Sequence, residues 1–360
     1  MNNIEFLSLV QQQTNTEPIV VDEEYKSVFL SLYKPDYDEI DSDRLSKSFD
    51  ETIEEYKTVE LPTPYESIVH YPGLLKLLEE LYSTGLDLGL IEHINPDFKM
   101  PLIGTANLAS MGAYAKTDYS TIIIDRGLLF FFSNMGRLLA DLIISEEDSN
   151  WVIKPSLLTI EEIQDRILSN LDIIRDFTEI MTSYVKYGTT LPFSRRMKFH
   201  NTQKCILDNL IGLESWRFIV AHEMMHLLYN HRQSTPSVEL EADTMATQLC
   251  AKCVEKLQTE TQLYWIPVFV TATLDMLMEC NDIRGIHYTT HPQKRGEHAH
   301  YIISQMKAGG YALAMAQAVR RILLFLWSVT KETIMGLTSD DRIKNPEQLQ
   351  RVISLIDFTA

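Results

Sequence analysis

Two histidines and a glutamate lie close together near the middle of the chain, in the stretch His222-Glu223-Met224-Met225-His226. On an α-helix, residues four apart lie on one face about one turn from each other, so the two imidazoles can bind one Zn²⁺. Glu223, next to the first histidine, can then take a proton from a zinc-bound water and pass it to a leaving amine. Because the same five-residue pattern also arises by chance, the prediction of a metal site depends on further ligands nearby.

A third ligand is predicted shortly after this motif. A second helix is expected between Ser237 and Cys250, with Ser237 as its N-cap. A structural zinc site takes four protein ligands, whereas a catalytic one takes three and a water. Glu239 is therefore predicted to join His222 and His226 and to leave the fourth position open.

Asp243 lies one turn beyond Glu239 and shares its face of this helix. It is predicted to accept a hydrogen bond from the free ring nitrogen of one zinc-bound histidine and so to fix the tautomer of that ring. Glu241 faces elsewhere by helical geometry and is not expected to be a ligand. The alternative is that the three acids form only a solvated helix start, favoured by the helix dipole.

These segments resemble the HtpX/CAAX-prenyl-protease-type zinc metallopeptidases, in which HExxH is followed by a histidine five residues on, here His231, and then by ExxxD. Residues 107–112 and 120–132 resemble that family's strand pair, and residues 290–295 resemble its Thr-His-Pro segment with a following Arg. The short interval between HExxH and the ligand glutamate is closer to the soluble ImmA/IrrE-type and Lit-type peptidases. The resemblance implies an α+β, mostly α-helical fold, with a zincin-like metallopeptidase core, a small sheet and an edge strand that lines the cleft.

The resemblance assigns substrate binding to strand 120–124. At the rim of the cleft, Ile122, Ile123 and Ile124 are implied to offer backbone N–H and C=O groups to an extended peptide, which adds to the sheet as one more strand. An ordinary buried core strand remains the alternative, because the run is apolar without alternation.

The same resemblance assigns His291 to the active site, where its ring would stabilise the developing oxyanion. A Tyr hydroxyl, such as that of Tyr288, is the other donor left open. His231 is expected to end the first helix, where a cationic ring suits the dipole. Arg295 falls nearer to the His-Pro pair than in the family pattern, which leaves its role open.

The composition limits the classes of partner. With 360 residues, 45% of them hydrophobic, the chain can bury a large core. A net charge of −18 argues against direct binding of nucleic acid or of an anionic membrane surface, since both require clustered Lys and Arg. No run reaches the roughly 18 to 20 apolar residues needed to span a bilayer, and residues 1–10 lack the features of a signal peptide. We therefore expect a cytoplasmic protein.

The four cysteines fit a reducing compartment and indicate no disulfide framework. They are Cys205, Cys250, Cys253 and Cys280. Cys250 and Cys253 form a CxxC pair, which we interpret as two small apolar residues one turn apart on a helix rather than as a second metal site.

The chain is predicted to comprise an acidic N-terminal extension, residues 1–65, and a zincin-like metallopeptidase domain, residues 66–360. The extension is expected to be solvated and partly disordered, or to bind a basic protein partner. A helical insertion at residues 133–214 would act as a substrate-selecting lid or as scaffold. Both regions are candidates for binding a regulatory protein partner.

The predicted function is that of a zinc-dependent endopeptidase, which hydrolyses peptide bonds in a protein substrate through a zinc-activated water with Glu223 as general base. Its substrates are expected to be proteins or peptides, either one specific target or many. A catalytically silent zinc-containing module, which binds peptides or acts as a scaffold, is the alternative.

Overall fold

Helices make up most of the part of the chain that the structure, a computed structural model, describes. The described residues are 1–33, 42–108, 112–143, 160–188, 190, 202–233, 235–257, 263–283, 293–306 and 309–339. Within them, the helices are, in chain order, α1 Asn3–Gln13, α2 Glu23–Tyr33, α3 Ser42–Tyr56, α4 Tyr71–Asp87, α5 Leu90–Ile94, α6 Arg126–Ile143, α7 Ile160–Ser169, α8 Leu171–Tyr187, α9 Thr202–Leu228, α10 Pro236–Leu257, α11 Ile266–Ile283, α12 Gln293–Gln305 and α13 Gly309–Ser339. The strands are β1 Leu102–Ala106, β2 Ala113–Lys116 and β3 Thr121–Asp125. The prediction of an α+β, mostly α-helical fold is confirmed.

The three strands form one sheet in the order β1-β3-β2. β1 pairs with β3 in parallel, with Ile103 opposite Ile122, and β2 pairs with β3 antiparallel, with Ala115 opposite Ile122. A single turn of 3₁₀-helix, Thr117–Tyr119, joins β2 to β3, and Ser120 after it adopts a left-handed conformation with φ 46°. This short connection makes β2 and β3 a hairpin and leaves β2 at one edge of the sheet.

The strand predicted to line the cleft as an edge is the central strand of the sheet. β3 has a partner on each side, and Ile122, Ile123 and Ile124 are at most 4% exposed. An apolar run without alternation is typical of a strand covered on both faces, so the structure supports the core-strand alternative. The assignment of substrate binding to these three isoleucines is therefore corrected, because the backbone of β3 is paired within the sheet. The edge strand is β2, whose residues are half-buried.

Helix α1 covers one face of the sheet. Phe6, Leu7 and Val10 of α1 are buried together with Ile123 of β3. At about 1.5–3 kcal/mol for each large apolar side chain that is fully buried, this contact stabilises the packing of α1 by several kcal/mol. The boundary predicted at residue 65 therefore does not separate α1 from the rest of the fold.

Helix α9, which carries the histidine motif, lies in the main core on the other face of the sheet. It packs against α4, α6, α10, α11 and β2. The apolar residues that precede and follow the histidines are buried, namely Phe218, Val220, Ala221, Met224 and Met225. A helix that is apolar on most sides is enclosed by its neighbours. The backbone of α9 is thus a rigid support for the motif.

Buried ion pairs fix the N-terminal half of α9. Arg217 donates to Glu214 at 2.9 Å and to Glu80 of α4 at 2.6 Å. Arg137 of α6 donates to Asp208 at 3.3 Å. Salt screens the pairs with Asp208 and Glu214 little, because both partners are at most 7% exposed, whereas Glu80 is 34% exposed. They set the position of α9 relative to α4 and α6.

Helix α8, which lies inside the predicted insertion 133–214, packs on α6 and α13. Phe177 and Tyr184 of α8 are buried in the main core. The residue after α8, Gly188, approaches α6 so closely that a Cβ on Gly127 would lie 1.6 Å from its carbonyl oxygen. Helix α8 therefore acts as scaffold rather than as a lid.

One helical segment among the described residues, Ala312–Gly336 in α13, is long and apolar enough to cross a membrane. However, 44% of its apolar window is buried inside the fold. Its exposed positions include Gln317, Arg321 and Glu332. A helix with one buried face and one polar face also packs in this way at the surface of a protein core.

Candidate metal centre

The motif helix and the acidic helix are joined by a short turn. α9 ends at Leu228 and α10 begins at Pro236, a first-turn position that suits proline because no partner is needed there for an N–H. The carbonyl of Thr235 accepts a hydrogen bond from the N–H of Glu239 at 3.0 Å. The helix therefore starts before Ser237, the predicted N-cap. Since α9 and α10 pack on each other, the histidines of one face the acids of the other.

Three side chains from these two helices converge. His222 Nε2 and His226 Nε2 are 3.0 Å apart. Glu239 Oε2 lies 3.3 Å from His222 Nε2, and Glu239 Oε1 lies 3.7 Å from His226 Nε2. In the part of the chain that the structure describes, these three side chains form the one group of His, Cys, Asp and Glu residues close enough to hold a metal ion.

The spacing of the donors suits a tetrahedral ion. Zinc binds imidazole nitrogen at about 2.0–2.1 Å and carboxylate oxygen at about 2.0–2.2 Å, which at a tetrahedral angle separates two donors by about 3.3–3.5 Å. The observed separations lie around that value, at 3.0 Å between the imidazole nitrogens and at 3.3 and 3.7 Å from them to the two oxygens of Glu239. Two imidazoles and one carboxylate are also a donor set of catalytic zinc sites. The three side chains therefore fit Zn²⁺.

A buried carboxylate supports the first histidine from behind. Asp243 Oδ1 lies 2.9 Å from His222 Nδ1, as predicted for the partner of a histidine ligand, but the two atoms do not have the geometry of a hydrogen bond. Asp243 is fully buried and receives two hydrogen bonds from Arg295, from Nε at 2.8 Å and from Nη2 at 2.7 Å. Arg295 Nη1 also lies 3.7 Å from Glu239 Oε2. One arginine therefore holds both acids in place.

The sequence left the role of Arg295 open, and the structure supplies it. The residue lies in the first turn of α12, which packs on α10 and α11. The N–H of Gly296 donates to Asp275 Oδ2 of α11 at 3.0 Å, which anchors the start of α12. No local pattern links Arg295 to the acids of α10, because the contact forms through the docking of a distant helix. The resemblance of residues 290–295 to a His-Pro segment with an Arg was the one signal for it.

The carboxylates favour positive charge on His222. Burial by itself lowers the pKa of His222, but the contacts with Asp243 and Glu239 outweigh burial and raise that pKa to about 10. Burial likewise opposes ionisation of Asp243, yet Arg295 and His222 lower its pKa to about 2. The pKa of Glu239 also lies below its usual range, because contacts with His222 and His226 outweigh its burial. The two acids beside His222 therefore stabilise a cation there, whether a proton or a metal ion.

Glu223 adjoins the three donors but is not one of them. Its side chain is buried, and burial raises its pKa in spite of the nearby charges of His222 and His226. A carboxylate whose pKa is raised can accept a proton and return it near neutral pH. Glu223 therefore holds a proton more tightly than an exposed glutamate does.

Other residues singled out in the sequence lie elsewhere. His291 and Tyr288 fall outside the described residues. Glu241 is half-exposed and is not one of the three donors. Cys250 and Cys253 are buried free thiols, in keeping with their interpretation as small apolar residues of a helix.

A cavity of about 720 Å³ lies on the other face of α10 from Glu239. Its walls are mainly apolar and include Met245, Leu249 and Met306. It contains none of the three donors, so it is separate from the candidate metal centre.

The family suggested by the motifs stays a prediction. The three donors, their spacing and the support from Arg295 are observed in this chain itself. Comparison of the chain with protein-family models, with curated proteins and with solved structures finds no match.

Proposed function

We propose that this chain is a zinc-dependent endopeptidase with a zincin-like core. The observation that supports it is the convergence of His222, His226 and Glu239 at the spacing of a three-ligand zinc site, with Glu223 beside them. A structural zinc site takes four protein ligands, whereas the described residues supply three. An open metal position with a buried carboxylate beside it is what hydrolysis of a peptide bond requires.

The residues have separate tasks in the proposed reaction. When bound, Zn²⁺ polarises the scissile carbonyl and lowers the pKa of water at the site. Glu223 takes a proton from the attacking water as the water oxygen bonds to the carbonyl carbon. Glu223 then gives that proton to the amine that leaves as the C–N bond breaks. Asp243 and Arg295 hold His222 and Glu239 in the orientation that the site needs.

We assign substrate binding to the edge strand β2. In the described sheet β2 pairs on one side only, with β3, and it contacts α9. Ala113 and Ala115 pack towards the main core, which contains α9, and Tyr114 packs towards α1. We propose that an extended peptide binds alongside β2 through backbone hydrogen bonds, as peptides do at the edges of other sheets.

The test compares Glu223→Gln with Glu239→Ala. Glu223→Gln keeps all three ligands, so it should retain zinc while hydrolysis falls by about 10²–10⁴-fold or more. Glu239→Ala removes a ligand and should lose zinc and hydrolysis together. Glu255→Gln, which changes an exposed acid of α10, is the matched control and should alter neither. Zinc is measured by mass spectrometry after dialysis, and hydrolysis with a fluorogenic peptide library.

Each outcome separates the proposal from its alternative. Wild-type rates of hydrolysis in Glu223→Gln would contradict the role given to Glu223. One zinc per chain without hydrolysis by the wild type would identify a catalytically silent module. A wild-type chain that binds no zinc would overturn the metal centre. Cleavage of whole-cell lysate then shows whether an active enzyme has one target or many.

A further inference from the structure

The geometry points to His231 and Glu241 as positioning residues for His226, the second histidine of the proposed zinc site. This inference rests on the proposed function, because it concerns how the chain holds that ligand. The first histidine, His222, is supported by Asp243. The contacts around the second histidine form a separate support.

The backbone after α9 brings His231 back onto His226. Asn230 adopts a left-handed conformation with φ 54°, which asparagine tolerates better than most residues. The N–H of His231 then donates to the carbonyl of His226 at 2.8 Å, a hydrogen bond that closes the end of the helix. The two rings consequently meet, with their centroids 5.2 Å apart.

The ring nitrogens of the two histidines face each other. His226 Nδ1 lies 3.1 Å from His231 Nδ1, and His231 Nε2 lies 3.3 Å from Glu241 Oε2. A neutral imidazole carries its proton on one nitrogen and accepts a hydrogen bond at the other. If His226 offers Nε2 to the metal, its Nδ1 carries the proton and donates to His231. His231 then carries its own proton on Nε2, and this N–H donates a hydrogen bond to Glu241.

A role at the helix end alone does not account for these contacts. A cationic ring that only suited the dipole needs no acceptor and no fixed orientation. The ring of His231 is instead stacked on Tyr229, at 5.5 Å and 22°, and its side chain is 10% exposed. A ring held by a stacking partner, a carboxylate and its own backbone has one orientation. That is the property by which an outer residue fixes the ring of a metal ligand.

Substitutions at His231 separate positioning from a merely structural role. Asparagine places an oxygen near the position of Nδ1 and can accept from His226, whereas leucine cannot. His231→Leu should weaken zinc binding by about 10–100-fold, and His231→Asn should restore most of the affinity. His93→Leu changes an exposed histidine of α5 and is the control. Zinc affinity is measured by competition with a chromophoric chelator, and stability by thermal unfolding in EDTA.

Glu241→Ala gives an independent measurement, because the Glu241 side chain is 50% exposed and its removal spares the core. It should weaken zinc binding at the lower end of the same range. Equal zinc affinity in the wild type and His231→Leu would overturn the inference and leave the zinc site intact. Equal losses in His231→Leu and His231→Asn, with stability in EDTA lowered to match, would reduce His231 to a structural residue. A wild-type chain without zinc would overturn the proposed function itself.

Discussion

Loss of the charge on Arg295 should destabilise the whole fold, even when a chelator is present. The Arg295 side chain is 4% exposed, that of Asp243 is 0% exposed, and two hydrogen bonds of 2.8 and 2.7 Å join them. Arg295→Met keeps much of the side-chain volume but removes the guanidinium charge and both of its hydrogen bonds from the buried carboxylate. Breaking a buried ion pair from one side costs about 3–5 kcal/mol, so we expect the free energy of unfolding to fall by that amount. Glu239, 3.7 Å from the guanidinium, adds to the effect.

An exposed ion pair of the same length provides the control. Arg320 Nη2 lies 2.7 Å from Glu297 Oε1, but these side chains are 31% and 61% exposed. Solvent screens that pair, so Arg320→Met should change the free energy of unfolding by only about 0–1 kcal/mol. The difference between the two variants therefore measures what burial adds to an ion pair of fixed length.

Urea unfolding followed by tryptophan fluorescence gives the free energy of unfolding of each variant. Addition of Asp243→Asn to Arg295→Met should recover part of the loss, because the buried position that lost its arginine then no longer carries a negative charge. A loss below about 1 kcal/mol in Arg295→Met would refute the reasoning, since it would match an exposed pair. No recovery in the double variant would refute it as well.

Two further predictions concern parts of the fold away from the metal centre. Gly127→Ala should be strongly destabilising, because its Cβ would lie 1.6 Å from the carbonyl oxygen of Gly188, whereas Gly310→Ala meets no atom within 4 Å and should be nearly neutral. Equal unfolding temperatures in the two variants would contradict this. Burial raises the pKa of Asp125 from 3.8 to about 7, so the folded state binds this proton more tightly than the unfolded state does. The stability that the protonated group contributes is therefore complete below about pH 4 and is lost as the pH rises through about 7. Asp125→Asn should flatten that part of the pH dependence in urea unfolding, and an unchanged slope would count against it.

The metal donors could be predicted because they are local in the sequence. The helical period alone places His222 and His226 on one face of α9. Glu239 follows after a short turn, so the packing of two adjacent helices brings the three side chains together. The helical character of the fold is predictable for the same reason, since it depends on the spacing of apolar residues within each segment.

Contacts between distant segments could not be predicted in this way. Arg295 meets Asp243 across 52 residues, through the docking of α12. β3 lies between β1 and β2, whereas its apolar run indicates only that both faces are covered. The acidic composition of residues 1–65 predicts a solvated extension, but composition describes the region as a whole. It does not indicate that Phe6 and its neighbours in α1 are buried. Each of these features depends on tertiary packing.

The distance in sequence between Asp243 and Arg295 also affects when the centre can assemble. Protein synthesis runs from the N-terminus, so the ribosome makes both histidines and Glu239 before it makes Arg295. Until α12 has been made and has packed onto α10, the two acids lack the arginine charge that offsets part of the cost of their burial. We therefore expect the centre to become buried only after α12 has left the ribosome and packed onto α10.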